Sequence, residues 1–161
     1  YARWTVNNYN VTFNANGGIL SSATTQTVSS GNKIIEPTNP IRDEYIFTGW
    51  YTDINCINKY YFTNQVTSSF TLYAGWKIKT YVVSFNANGG TLTGNTSQTA
   101  SSGSKITQPS NPTRNGYAFT GWYTNTSCTS LYNFNNQVTS DFTLYFCITL
   151  KSVRTLLMLF V

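Results

Sequence analysis

Phe13-Asn14-Ala15-Asn16-Gly17-Gly18 returns as Phe85-Asn86-Ala87-Asn88-Gly89-Gly90, and the distance between the two copies organises the chain. Phe47-Thr48-Gly49-Trp50-Tyr51-Thr52 returns as Phe119-Thr120-Gly121-Trp122-Tyr123-Thr124. Asn64-Gln65-Val66-Thr67-Ser68 returns as Asn136-Gln137-Val138-Thr139-Ser140. The pairs 13/85, 50/122 and 66/138 share an offset of 72, so no insertion separates the copies. About 40 of 70 aligned positions are identical, the mark of a tandem duplication. A period of 72 exceeds the roughly 20–50 residues of solenoid repeats and approaches the size at which a small domain buries its own core. The expected architecture is therefore beads on a string. Residues 1–6 read as the end of a preceding repeat, 7–78 as repeat domain 1, 79–145 as repeat domain 2, and 146–161 as an aberrant tail. Tyr1-Ala2-Arg3-Trp4 supports the first assignment, because it lies 72 positions before Tyr73-Ala74-Gly75-Trp76. With only Lys77-Ile78-Lys79-Thr80 between the copies, the beads are expected to hold a short spacing.

Within a copy the apolar period is two. Tyr9, Val11 and Phe13 alternate with Asn10, Thr12 and Asn14, which predicts a half-buried strand. Tyr45, Phe47 and Gly49 alternate with Ile46, Thr48 and Trp50, a pattern apolar on both faces that suits a central strand. Phe70, Leu72, Ala74 and Trp76 alternate with Thr71, Tyr73 and Gly75, and Thr25 to Val28 form a weaker strand. Asn16-Gly17-Gly18 tolerates positive φ and turns the chain after the first strand. Pro37 and Pro40 bar a regular helix interior from their surroundings, and no segment shows a 3.6-residue period. The predicted fold class is mostly β. Phe13, Phe47, Trp50, Phe70 and Leu72 should carry the first core, and Phe85, Phe119, Trp122, Phe142 and Leu144 the second.

Composition sets limits on chemistry. The 161 residues include no histidine and five acidic side chains, Glu36, Asp43, Glu44, Asp53 and Asp141. The usual general bases and metal ligands are thus missing or sparse, and no catalytic, cofactor-binding or metal-binding residue is assigned. Ser22 and Ser68 have no base to activate them. The net charge of +5 comes from scattered Lys and Arg, without the clustered stripe of a nucleic-acid binder. Cys56 and Cys128 are equivalent positions and Cys147 falls in the tail, so one cysteine per bead predicts no disulfide framework. Asn-Ala-Asn-Gly-Gly lacks the following helix of a phosphate loop and the carboxylates of a calcium loop, and reads as a turn. Trp50 and Trp122 read as core residues. Tyr51 and Tyr123 point opposite to them on alternation, and are the candidate ligand contacts.

The run from Phe13-Asn14-Ala15-Asn16-Gly17-Gly18, through Pro37-Thr38-Asn39-Pro40 and Gly49-Trp50-Tyr51, to Thr71-Leu72-Tyr73-Ala74-Gly75-Trp76 resembles the Listeria–Bacteroides repeat, or internalin B-repeat. The resemblance covers residues 1–145. It implies a β-grasp-like bead (a β-rich α+β fold) arranged in tandem on secreted or wall-attached bacterial proteins. It also implies adhesion or a stalk rather than catalysis, with host-cell or bacterial surface proteins or glycans as partners. A carbohydrate-binding module that uses exposed aromatics is the alternative. A β-grasp carries a helix across its sheet, and here any helix should be short or replaced by the turn at Lys33 to Glu44.

The second copy departs from the first at its end, where Tyr145-Phe146-Cys147-Ile148 replaces Tyr73-Ala74-Gly75-Trp76. With Ile148 in place of Trp76, the second bead is expected to be the less stable of the two. The apolar run Leu156 to Val161 is too short for a membrane span, and a fragment or altered reading frame is the favoured account of the tail.

Overall fold

The computed structural model describes residues 1–151. The chain divides into two units, Tyr1–Lys79 and a second from Thr80 onward. The first contains β1 (Asn8–Asn14), β2 (Thr25–Ser29), β3 (Tyr45–Tyr51) and β4 (Phe70–Ile78) in the sheet order β2-β1-β4-β3. The second repeats it with β5 (Thr80–Asn86), β6 (Ser97–Ser101), β7 (Tyr117–Tyr123) and β8 (Phe142–Leu150) in the order β6-β5-β8-β7. Each unit is a mixed sheet. β1 pairs antiparallel with β2 and parallel with β4, and β4 pairs antiparallel with β3.

β1 follows its alternation, with Val11 and Phe13 buried and Asn10, Thr12 and Asn14 exposed. β3 does not. It is an edge strand, not the central strand that its two-faced apolar pattern suggested. The pairing slips between Phe47 and Gly49, which leaves Thr48 as an extra residue in a bulge. Gly49 stands there at φ 134°, a value that favours glycine. The bulge lets Phe47 and Trp50, three residues apart, both pack on the core. An odd spacing that reads as two faces is thus one face with a residue inserted.

No helix occurs among the described residues, so the β-grasp helix is replaced outright. Two loops cover the sheet instead. Ile34 comes from the segment between β2 and β3, and Tyr60, Phe62 and Val66 from the segment between β3 and β4. Val66 donates to the Asn32 carbonyl at 2.8 Å and accepts from Gly31 at 2.9 Å, which ties the loops together. The Gln26 amide donates to the Ile35 carbonyl at 2.6 Å and accepts from its N–H at 2.9 Å, imitating a strand partner. Pro37 and Pro40 are buried in this cover. Backbone amides that a helix would satisfy internally are met here one by one.

Phe13, Trp50 and Leu72 are buried, as are Phe85, Trp122 and Leu144. Phe47, Phe70, Phe119 and Phe142 are half-buried against the same clusters. Val11 and Ala74, on the apolar faces of their strands, complete the first core with Ile34, Tyr60 and Val66, which come from the loops.

The end of the second unit differs from that of the first. The boundary expected after Tyr145 falls within β8, which runs on to Leu150. Phe146, at the place of Ala74, is buried and stacks on Phe119 at 5.5 Å. In the first unit Trp76 fills that role, with its ring 5.7 Å from Phe47. Trp76 lies against Gly18, and Phe146 lies against the equivalent Gly90. One large ring has moved two residues along the strand without leaving its space, so the loss of burial expected from Ile148 is offset. Cys147 also pairs with Cys128, at a Cα–Cα distance of 5.9 Å. The expectation of no disulfide was wrong for the second unit because Cys147 lies on an ordered strand, beside the loop that carries Cys128. Cys56 stays a free thiol, since its counterpart of Cys147 is Gly75.

Candidate functional site

The repeated Asn-Ala-Asn-Gly-Gly turn is a structural latch. Asn14 Oδ1 accepts the Asn16 N–H at 2.8 Å, and Asn16 takes φ 48°, a left-handed value that asparagine tolerates. Its side-chain amide then donates to the Ala74 carbonyl at 3.1 Å. Trp76 Nε1 donates to the Ala15 carbonyl at 3.0 Å, and a Cβ on Gly18 would meet the Trp76 ring. The second unit keeps the asparagine part of the latch, with Asn88 N–H on Asn86 Oδ1 at 2.8 Å and Asn88 Nδ2 on the Phe146 carbonyl at 3.3 Å, while Ile148 in place of Trp76 removes the indole bond. Asn16→Ala should therefore cost the first bead about 1–2 kcal/mol, from a lost hydrogen bond and a strained φ. Urea melts of the parent and the variant measure it, and equal midpoints would show the latch to be idle.

Tyr51 and Tyr123 are half-buried. The Tyr51 ring covers Gly75, where a Cβ would collide with it, and its hydroxyl donates to Thr48 Oγ1 at 3.3 Å. Lys59 crosses Gly49 and donates to the Thr48 carbonyl at 3.1 Å. The second unit does not reproduce this group, because Leu131 replaces Lys59 and bridged Cys147 replaces Gly75. Two basic residues are also engaged internally. The Arg42 guanidinium lies 3.9 Å from the Tyr45 ring centre, and that of Arg114 lies 4.6 Å from Tyr117.

The loop after β3 wraps its own backbone around a carboxylate, Asp53. The backbone N–H groups of Asn58 and Ile57 hold the Asp53 carboxyl below its ordinary value. A depressed carboxylate stabilises the fold above the unfolded pKa of about 4, and that contribution is lost as pH falls through the folded value. Asn125 takes the same place in the second unit, with its Oδ1 accepting from Thr129 at 3.1 Å and Ser130 at 3.3 Å. Acidification below about pH 4 should loosen residues 53–58 and leave 125–130 unchanged. Amide hydrogen exchange at Ile57 and Thr129 checks this, and parallel acceleration of both would overturn it. Burial and the nearby Asp53 charge push the Cys56 thiol up, so it is a poor nucleophile at neutral pH.

A groove of about 500 Å³ is lined by Glu36, Lys59, Tyr60, Tyr61, Phe62 and Thr63. Glu36 and Lys59 are its charged lining residues. Among the described residues no group of three His, Cys, Asp or Glu side chains could hold a metal ion. Nor is any helix there long and apolar enough to cross a membrane, and the run Leu156 to Val161 lies outside the described residues.

The exposed surface is where the copies diverge. Ile19, Ile35, Ile41, Ile54 and Ile57 are exposed in the first unit. Their counterparts are Thr91, Thr107, Thr113, Thr126 and Thr129, also exposed. Most of the interior and the asparagine turn are shared, while the outer apolar character is not. That asymmetry was legible in the alignment of the copies, but its meaning required knowing which positions face water.

The Listeria-Bacteroides repeat domain model matches residues 9–75 and again 81–145. A provisionally named Gly-rich membrane protein of Evansella cellulosilytica is 37% identical over 147 residues, covering 90% of this chain and 17% of that protein. A second provisionally named membrane protein of that organism is 37% identical over 142 residues, covering 88% of this chain and 21% of the relative. Internalin H of Listeria monocytogenes is 34% identical over 117 residues, covering 71% of this chain and 20% of its own length. The chain thus spans about a fifth of the curated relatives that it matches. Two repeats at a fixed offset, the same sheet in both and a family match to each copy lead to one conclusion: the chain belongs to the Listeria–Bacteroides repeat family, whose relatives include an internalin.

Proposed function

We propose that the two beads form part of an extracellular array on a bacterial surface protein, secreted or attached to the wall, which serves as a stalk or in adhesion and not in catalysis. Residues 1–6 are proposed as the end of a preceding bead. The observation that carries the reading is what the duplication kept. The copies share most of the core, the asparagine turn and the bulge, yet replace five exposed isoleucines with threonine. A catalytic or ligand site common to both would keep its outer residues, whereas a spacer needs only to keep folding.

Surface labelling of the native protein on intact cells tests the location, and absence of label would end the surface reading. Retention on bacterial or host cells of chains with one, two and four beads, at equal bead concentration, separates the roles. Adhesion predicts retention that rises faster than bead number through avidity. No retention at any length leaves the stalk.

The glycan reading has its own support, because Tyr51 and Tyr123 are kept in both copies and are half-buried, so part of each side chain reaches solvent. Joint Tyr51→Ala and Tyr123→Ala replacement should abolish pull-down by cell-wall glycan if those side chains make the contact. Unchanged pull-down would remove them from the proposal.

A further inference from the structure

We infer that each bead resists tension along the chain through its two central parallel strands, and that the Cys128–Cys147 bridge limits how far the second bead extends. The use of such a device rests on the stalk reading, while its mechanism rests on topology alone. The chain enters the first bead at the start of β1 and leaves at the end of β4, and these strands are parallel neighbours. Tension on the two ends therefore draws β1 and β4 in opposite directions along their common axis. The paired positions from Val11↔Phe70 to Asn14↔Tyr73 must yield together. In a hairpin pulled at its open end, by contrast, pairs yield one after another. Forced unfolding is governed by the barrier to the first rupture, so simultaneous loading raises the force required.

Side chains lengthen this ladder at both ends. Ser69 Oγ accepts the Asn10 N–H at 2.9 Å, before the first backbone pair. Beyond the last pair, Asn16 Nδ2 reaches the Ala74 carbonyl at 3.1 Å, and Trp76 Nε1 reaches the Ala15 carbonyl at 3.0 Å. The second bead pairs β5 with β8 in the same register, without the indole rung because Ile148 stands in place of Trp76. Asn88 Nδ2 reaches the Phe146 carbonyl at 3.3 Å, and Asp141 Oδ1 accepts the Val82 N–H at 2.6 Å. A carboxylate acceptor makes that last rung stronger than its Ser69 counterpart. The Asn-Ala-Asn-Gly-Gly motif and the residue before the last strand thus act on one pair of strands, the pair that tension would shear.

The bridge changes what happens after rupture. Cys147 lies beyond the β5–β8 pairs, and Cys128 lies in the loop after β7. Once the ladder gives way, the 19-residue separation between them stays closed, spanned by 5.9 Å between Cα atoms. At ~3.4 Å per extended residue, the second bead should release roughly 60 Å less contour length than the first.

The test is single-molecule stretching of the full chain, held at its two ends, first under oxidising conditions and then with reductant. Two ruptures are expected, with length gains that differ by roughly 60 Å and converge on reduction. Their forces should be several-fold higher than when the chain is held at its amino terminus and Asn32, which unzips β1 from β2. Equal forces in the two geometries would overturn the clamp, and equal gains before reduction would overturn the bridge's role. High rupture force without label on intact cells supports the clamp and removes only the stalk. Low force with surface label removes the clamp and keeps the stalk.

Discussion

Trp50→Ala should lower the stability of the first bead by about 3–5 kcal/mol, which for a domain of this size is a fall of roughly 20 °C in melting temperature. Trp50 is 1% exposed, with ring centroids 5.1 Å from Phe13 and 5.7 Å from Phe47. Truncation removes the ring that both phenylalanines meet edge-on, and leaves a cavity that sheet and loops cannot collapse to fill. A small domain holds only some 5–15 kcal/mol in all, so the loss is a large fraction of the total. Trp50→Phe should be much milder. The indole N–H is buried without a hydrogen-bond partner among the described residues, so phenylalanine removes an unsatisfied donor as well as volume. Calorimetry of the full chain, with the second bead as internal reference, reads both variants. An unchanged first transition in Trp50→Ala would place that ring outside the core and reopen its use as a binding surface.

Reduction of the Cys128–Cys147 bridge should lower the second bead by about 3 kcal/mol and leave the first unchanged. The bridge closes a loop with a sequence separation of 19, and its main effect is to restrict the unfolded chain. Cys128→Ala tests the same point without reductant, leaving Cys147 as a buried thiol that packs as a small apolar group. Together with the stacking of Phe146 on Phe119, the bridge should make the second bead the higher-melting one under oxidising conditions. That reverses the order expected from Ile148 in place of Trp76. If the second bead melts below the first before and after reduction, neither the stacked ring nor the bridge offsets the missing tryptophan.

The two beads show how far a repeat can be read from its letters. The offset of 72 fixed the number of units and assigned each residue a counterpart. Period-two alternation located β1, β3 and β4 along the chain, because a strand half-buried on one face must alternate, but it misread the faces of β3, where the bulge breaks the period. Trp50 and Trp122 were legible as core residues, since a small bead needs bulky side chains to fill it. The candidate tyrosines were legible only as positions. That the Tyr51 ring packs over Gly75, with its hydroxyl on Thr48, depends on which strand lies beside β3.

Sequence alone determined the β class, the duplication, most of the large core residues and the absence of histidine. These follow from local periodicity, identity and composition, which need no partner in space. Tertiary structure alone decided the edge position of β3, the loops that replace the helix, the ring carried by Phe146 in place of Trp76, and the pairing of Cys128 with Cys147. Each joins residues far apart in the chain, and a pattern read along one strand cannot say what stands across from it. Phe146 shows the reason most directly: two places along the strand it is the wrong residue for its letter position, yet its ring occupies the space that the fold requires.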